Sequence, residues 1–343
     1  MKGQYLVSVQ NNKVKYEFTI RRNITIVQGD SATGKTTLVD LIREYQLDGA
    51  DSGISLSCKK KCVVLEGADW ERNLSLYDDC IVFVDEGNRF IATPEFARAI
   101  KTTDNYYVLI TREGLETLPY SVNEIYGIHT SGKYADLKQV YHEFYSIYGV
   151  DSKNGYVEKQ NSKVIEKVLC EDSNSGFDFF SAVFSKKYEC ESANGKSNIY
   201  KKLLASSKKS LVIADGAAFG SQMAKVMKIA EKTECVLFLP ESFEYILLAS
   251  VFAKDSEVAK VLEHPEDFIE SKDFFSWEQF FTALLTKISD GTYLKYSKKK
   301  LNPNYLSEKI RNAILNSDVL KGVELVIERI ENELLCNKSE CVE

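Results

Sequence analysis

Residues 24–40, Ile-Thr-Ile-Val-Gln-Gly-Asp-Ser-Ala-Thr-Gly-Lys-Thr-Thr-Leu-Val-Asp, constrain the fold more than any other stretch. Ile24, Ile26 and Val27 read as a buried strand. Gly29 to Thr36 then follow the spacing Gly, four free positions, Gly, Lys, Ser/Thr. Leu38, Val39, Leu41 and Ile42 recur at helical spacing. A strand, a glycine turn and a helix start together make an anion cradle. Gly29 and Gly34 let the backbone curl until its N–H groups converge, and the helix N-terminus adds positive partial charge. On this reading Gly29, Asp30, Ser31, Ala32, Thr33, Gly34, Lys35, Thr36 and Thr37 surround the phosphates of a nucleotide. Lys35 reaches the β- and γ-phosphates, and the Thr36 hydroxyl sits on Mg²⁺.

A second motif supplies the complementary chemistry. Ile81-Val82-Phe83-Val84 reads as a central strand, and Asp85 and Glu86 emerge at its end. An acid in that place holds Mg²⁺, which makes Asp85 a metal ligand. Glu86 is the candidate general base for an attacking water. Tyr106 to Ile110 reads as a further buried strand, ending in Thr111-Arg112. Two readings of that end stand side by side. Either Thr111 senses the nucleotide and Arg112 contacts phosphate or a neighbouring subunit, or both are solvated. Around these motifs the sequence predicts a hairpin over Tyr5–Val9 and Val14–Ile20 and a helix over Thr36–Tyr45. It also predicts a polar loop over Leu47–Gly53, a strand at Cys62–Leu65, a helix over 93–101 and a helix over Tyr134–Tyr148.

With both motifs in place, residues 20–112 resemble the P-loop ATPases that carry a catalytic glutamate after the second-motif Asp. The resemblance implies ATP and Mg²⁺ as cofactors, with Glu86, Lys35 and Thr111 as the catalytic set. The chain departs from the ABC branch: it has no Ser-Gly-Gly-Gln-type signature and no long helical insertion. The short gap between motifs is closer to compact AAA-like or HerA-like cores.

The length of 343 residues fits two domains, placed at 1–150 and 162–343 across the polar, Gly155-containing stretch Asp151–Asn161. A net charge of −6 argues against a surface that binds nucleic acid throughout, although local basic patches are compatible with it. Nothing in the sequence is apolar for long enough to span a bilayer, and Met1–Val7 lacks the apolar core of a signal peptide. The eight cysteines are scattered and read as reduced thiols, so a cytoplasmic location with no membrane partner is expected. Cys58/Cys62 and Cys336/Cys341 form loose pairs without the histidines a zinc site needs.

The second half restarts an alternation of strands and helices. Strands are predicted at Val164–Cys170, Tyr188–Ser192, Leu211–Ala214 and Val236–Leu239, with helices between them. The fold class expected for the whole chain is therefore α/β, two parallel sheets with a helical tail. Acids end three of the later strands: Glu171, Asp215 and Glu241. Carboxylates so placed repel one another unless they hold a hard cation, and Glu171 and Asp215 are the candidate Mg²⁺ ligands. Residues 164–250 resemble the Toprim domain, which follows an ATPase in the overcoming-lysogenisation-defect (OLD) family nucleases. By that resemblance Glu171 matches the first-strand Glu, Gly195-Lys196 the loop after the second strand, and Asp215 the first Asp of Asp-x-Asp. Ala217 stands where the second Asp belongs, no Gly follows Glu171, and Ser175 replaces a frequent Asp. The tail offers an apolar stripe, Trp277, Phe280, Phe281, Leu284, Leu285 and Ile288, read as core. Tyr293, Lys295, Tyr296 and Lys298–Lys300 read as a solvated loop or a phosphate-contacting strip. Amphipathic helix is expected over Ile310–Ile330, and a frayed end over Cys336–Glu343.

The functional expectation is ATP binding and hydrolysis joined to a degenerate Toprim-like domain, in DNA processing or defence against mobile elements. An ATP-gated, Mg²⁺-dependent nuclease and a non-cutting nucleotide-dependent scaffold are the alternatives. ATP, DNA or a protein, and further copies of the chain are the partners considered.

Overall fold

The computed structural model describes residues 1–29, 33–131, 139–148, 156–157, 165–233 and 235–320. The protein is α/β, with a large, mostly parallel sheet and a second parallel sheet. It divides into two compact units: Met1–Gly149 with Glu263–Ser276, and Val150–Leu262 with Trp277–Glu343.

In the first unit the strands are β1 (Tyr5–Gln10), β2 (Val14–Ile20), β3 (Ile24–Val27), β4 (Ser55–Ser57), β5 (Lys61–Val64), β6 (Cys80–Val84), β7 (Tyr106–Ile110), β8 (Ile125–Thr130) and β9 (Val140–Ser146). They form a nine-stranded sheet in the order β4-β1-β2-β9-β8-β3-β7-β6-β5. The run from β8 to β5 is parallel throughout. Within it β3, β6 and β7 are buried along their whole length, as strands covered on both faces are. Helix α1 (Lys35–Asp48) packs Leu38, Val39, Leu41 and Ile42 on one face, against Val27, Phe18, Phe83 and Val108. Helices α2 (Trp70–Leu74) and α3 (Pro94–Ile100) carry an aromatic cluster on the other face, where Trp70 stacks on Phe90 and Phe96 meets Tyr107 edge-on. Thr93 caps α3 by accepting from the Phe96 N–H, with Pro94 in the first turn.

Two local expectations are corrected here. The helix expected over Tyr134–Tyr148 gives way to strand β9 at Val140–Ser146; residues 132–138 lie outside the described residues. Its aromatics alternate with period 2: Phe144 stacks on Phe18 at 4.1 Å and His142 on Tyr16 at 4.7 Å. Cross-strand ring pairs of that kind stabilise a sheet and override helical spacing. The loop expected over Leu47–Gly53 is the end of α1 and a 3₁₀ turn at Gly49–Ser52. The helix continues until Gly49, whose φ of +57° terminates it.

In the second unit, β10 (Tyr156–Val157), β11 (Lys167–Cys170), β12 (Glu189–Ser192), β13 (Ser210–Ile213) and β14 (Val236–Leu239) form a sheet in the order β10-β14-β13-β11-β12. Strands β11 to β14 are parallel, and β10 is antiparallel to β14. The helices are α4 (Ser175–Phe184), α5 (Lys196–Leu204), α6 (Met223–Thr233), α7 (Phe243–Val251), α8 (Ser256–Glu263), α9 (Trp277–Ser289) and α10 (Glu308–Leu315). The α9 stripe is core: Trp277, Phe281, Leu284 and Leu285 are buried, and α9 and α10 both pack against α7. Of the tail, 321–343 lie outside the described residues, including the rest of the expected helix and the Cys336–Glu343 end.

Chain order changes direction at β11, whose neighbours are β12 on one side and β13 on the other. That point opens a crevice at the carboxyl ends of the strands. The loop leaving β13 is held against β14 there: Gly216 N–H donates to the Pro240 carbonyl at 2.6 Å. A Cβ on Gly216 would lie 2.5 Å from the Leu239 carbonyl oxygen and 2.9 Å from that of Pro240, both backbone atoms. Gly216→Ala is therefore expected to destabilise this unit by about 1–3 kcal/mol. Urea unfolding followed by tryptophan fluorescence checks this, and a wild-type midpoint would contradict it.

Candidate functional site

The glycine-rich loop leaves β3 at the parallel edge, between the carboxyl ends of β7 and β8. Gly29 has φ +133° and Gly34 φ +93°, conformations that L side chains rarely adopt. Gly34 is the N-cap of α1, so the chain turns directly from the loop into helix. Lys35 is buried and lies across the loop, donating from Nζ to the Gly29 carbonyl at 2.7 Å and to Thr33 Oγ1 at 3.1 Å. Thr36 and Thr37 are exposed at the helix start. Asp30, Ser31 and Ala32 lie outside the described residues.

Two residues that the motif does not signal hold the loop from below. Tyr16, wholly buried in β2, donates its hydroxyl to the Gly34 carbonyl at 2.9 Å. A Cβ on Gly34 would stand 2.7 Å from that hydroxyl and 3.5 Å from His142. Burial pushes the Tyr16 phenol up to about 12 and the His142 imidazole down, so both stay neutral near pH 7. The sequence carries only the strand alternation that places Tyr16 inward; its partner Gly34 is distant along the chain.

Asp85 and Glu86 leave the end of β6, and Thr111 and Arg112 the end of β7. Strand β7 lies between β3 and β6, so the acids stand two strand spacings, about 9.5 Å, from the loop strand. Asp85 Oδ1 accepts from the Glu86 N–H at 2.9 Å. Arg112 grips Glu86 in a fork, Nε to Oε2 at 3.0 Å and Nη2 to Oε1 at 2.8 Å. That fork holds the Glu86 carboxyl below its usual range, and the Lys35 ammonium adds to the effect across the site. Thr111 donates its N–H to Val27 at 3.2 Å, which ties β7 to the loop strand. Its hydroxyl is turned into the next bend, donating to the Glu113 carbonyl at 2.9 Å and accepting from the Glu113 N–H at 3.1 Å. Thr36 and Asp85 offer the hard oxygen donors that Mg²⁺ takes.

In the second unit the fold brings Glu171 and Asp215 together: Glu171 Oε2 accepts the Asp215 N–H at 3.0 Å. Asp215 Oδ1 also accepts the Phe243 N–H at 3.3 Å. A cavity of about 30 Å³ beside them is lined by Cys170, Asp172, Phe180 and Ile246 among others. That volume holds a water or two, not a nucleotide. Burial pushes Glu171 up to about 7, helped by Glu278 and Asp172 and opposed by the Asp215 N–H and Lys196. Burial pushes Asp215 well above the usual carboxylate range as well, with Glu278, Glu171 and Glu244 adding repulsion. Ala217 is buried, and Glu241 accepts its N–H through the backbone at 3.1 Å. Among the described residues, no group of three or more His, Cys, Asp or Glu side chains is arranged to hold a metal ion.

The tail supplies what the acids lack. Tyr296 and Lys298, read from the sequence as a solvated or phosphate-contacting strip, are turned inward instead. Tyr296 is buried and donates to Glu244 Oε1 at 2.6 Å. Lys298 pairs with Glu278 and lowers the cost of ionising Asp215. The segment carrying them is anchored on α4, where Ser175 N–H donates to the Lys298 carbonyl at 3.1 Å and its hydroxyl to the Ser297 carbonyl at 2.5 Å. Tyr293 does face solvent. Contact between residues so far apart in sequence leaves no periodic trace.

No protein-family model matches this chain, and no curated protein matches it in sequence. Among the described residues, no helix is long and apolar enough to cross a membrane.

These half-buried acids set a pH dependence. Glu171 has a higher pKa folded than unfolded, so its contribution is fully present below about pH 4.5 and is lost as pH rises through about 7. The second unit should therefore melt several degrees lower at pH 8 than at pH 5, and Glu171→Gln with Asp215→Asn should flatten that slope. Calorimetric melting across this range is the check. An equal slope in the double variant would contradict the assignment.

Proposed function

We propose that the first unit binds ATP with Mg²⁺ and hydrolyses it, and that the second unit is a Toprim-like domain that has lost its metal-dependent chemistry. One observation carries the ATPase reading. The glycine loop, Asp85-Glu86 and Thr111-Arg112 leave neighbouring parallel strands at one sheet edge, close enough for Lys35 to act on the Glu86 carboxylate. Chance would not assemble a phosphate cradle, a hard-cation donor pair and a general base at one edge.

The chemistry follows from these contacts. Phosphate oxygens compete for the Lys35 ammonium, which turns from Gly29 and Thr33 toward the β- and γ-phosphates. The width of β7 between loop and acids leaves space for a water between Glu86 and the γ-phosphate. Glu86 orients that water and takes its proton. The Arg112 fork keeps Glu86 ionised and correctly turned, and a γ-phosphate draws part of the guanidinium toward itself. Bound Mg²⁺ supplies charge neutralisation of the phosphates, held by Thr36 and Asp85.

For the second unit, the internal Lys298 and Tyr296 support a non-cutting reading. They give Glu278 and Glu244 partners from within the chain, where two-metal phosphodiester cleavage relies on ions. Ala217 in place of a carboxylate points the same way. The setting we infer is DNA processing or defence against mobile elements, with ATP turnover as the active step and DNA or a protein as the partner.

Glu86→Gln should keep ATP affinity at the wild-type value and slow turnover about 10²–10⁴-fold, because the amide preserves shape and removes the base. Phosphate release under saturating ATP tests this. Wild-type turnover in the variant would mean that another group positions the water.

A further inference from the structure

The first unit holds an open cavity of about 350 Å³ beside strands β2, β8 and β9. Strand β2 pairs with β9 from Val14–Val140 to Glu17–Glu143, and both strands run on past that point, to Ile20 and Ser146. Phe18 and Phe144, the first residues beyond the paired stretch, stack with ring centres 4.1 Å apart and line the cavity. Along β2 the side chains alternate. Tyr16, Phe18 and Ile20 are buried, whereas Glu17, Thr19 and the Arg21 that follows are exposed. Charged groups therefore stand in a row beside apolar rings. Tyr126 and Tyr141 add two further rings to the lining.

The two ends of this row carry opposite charges that the chain pairs incompletely. Glu17 and Glu143 face each other in register, and like charges so placed repel. Lys15 pairs with Glu17 at 3.0 Å and lies over the Tyr141 ring, 5.3 Å from its centre. Among the described residues, no side chain pairs with the Glu143 carboxylate. At the other end, Arg21 Nε stands 3.6 Å from Glu124 Oε1, beyond hydrogen-bond distance, and Arg22 Nε stands 3.4 Å from the same oxygen. The Arg21 side chain is 43% exposed against 7% for Arg22, and Arg21 is the one that lines the cavity.

We infer that this cavity binds a short zwitterionic peptide of two or three residues, with its ammonium on Glu143 and its carboxylate on Arg21. Glu17, the register partner of Glu143, and Arg21 are four residues apart, about 13 Å along a strand. Three extended residues span about 10 Å, and the reach of the two side chains covers the difference. A volume of about 350 Å³ lies at the small end of ligand pockets, which suits two or three residues and is too little for a long segment. The guanidinium offers a carboxylate two parallel donors, and the tyrosine rings take the apolar middle of the ligand. A simple anion would leave Glu143 unpaired and a simple cation would leave Arg21 unanswered, so the charge pattern selects a ligand with both. His142 lines the same cavity and stacks on Tyr16, whose hydroxyl holds Gly34. An occupant thus rests against the support of the glycine loop. This inference does not depend on nucleotide binding.

The test is isothermal titration of the full chain with three tripeptides, Ala-Ala-Ala, Ala-Phe-Ala and Ala-Tyr-Ala, each with free ends. Saturable one-to-one binding of at least one of them is expected. Acetylating its N-terminus, or amidating its C-terminus, should each weaken binding about three- to tenfold, the range of a single partly exposed charge pair. Glu143→Gln should lose as much as acetylation does and should bind the acetylated peptide as the wild type does. Arg21→Gln should match amidation in the same way, and Arg21→Lys should recover most of the loss. The capped peptides are measured on the wild type, so that arm stands whether or not a variant folds. No saturable binding of any of the three, or equal affinity for free and capped peptides, would overturn the inference. So would losses from Glu143→Gln and acetylation that multiply rather than overlap.

Discussion

The parallel pairing of β3 with β7, and of β7 with β6, is the constraint on which the first unit depends. Parallel strands send all their carboxyl ends to one edge, and their crossovers must pass over the sheet faces. That requirement buries β3, β6 and β7 completely and leaves only their ends for polar chemistry. The ends are where the glycine loop, Asp85-Glu86 and Thr111-Arg112 stand. The antiparallel side serves the same edge: β2 and β9 bring Tyr16 and His142 beneath Gly34, fixing where the loop becomes helix. A Cβ at Gly34 has no room there, so the glycine is required by packing as well as by its φ.

The two units treat charge at strand ends differently. In the first, Glu86 is partly exposed and paired with Arg112, so it stays ionised and available to a water. In the second, Glu171 and Asp215 stand half-buried side by side, and desolvation favours their protonated forms. Unpaired carboxylates are costly in such a place, and the chain meets the cost with Lys298, Tyr296 and backbone N–H groups. A parallel sheet thus places acids at one edge in both units, and the local surroundings decide what those acids can do.

Strands β6, β7 and β14 were legible because each is an uninterrupted apolar run, and the loop was legible because its glycines, Lys35 and Thr36 fall at a fixed short spacing. Asp85-Glu86 and Thr111-Arg112 could be found because strand ends are marked by an abrupt change to polar residues. Strand β9 reads as helix from sequence because its aromatics fall on both faces and none of its residues is fully buried to mark a period of two. The Arg112 fork, the Tyr16 clamp and the inward turn of Tyr296 and Lys298 are contacts between distant segments. Sequence periodicity reports on neighbours within one element, so it is silent on all three. Thr111 shows a further limit: its position at the strand end was legible, but its hydroxyl is engaged with Glu113.

The central claim is that the loop around Lys35 is a nucleotide site. Isothermal titration of the full chain with ATP and Mg²⁺, in the wild type and in Lys35→Ala, tests it most directly. The account predicts saturable binding by the wild type and its loss in Lys35→Ala, with the melting of the variant unchanged, because the substitution removes the charge that faces the β- and γ-phosphates. Equal nucleotide affinity in the two proteins, or no binding by the wild type, would contradict it.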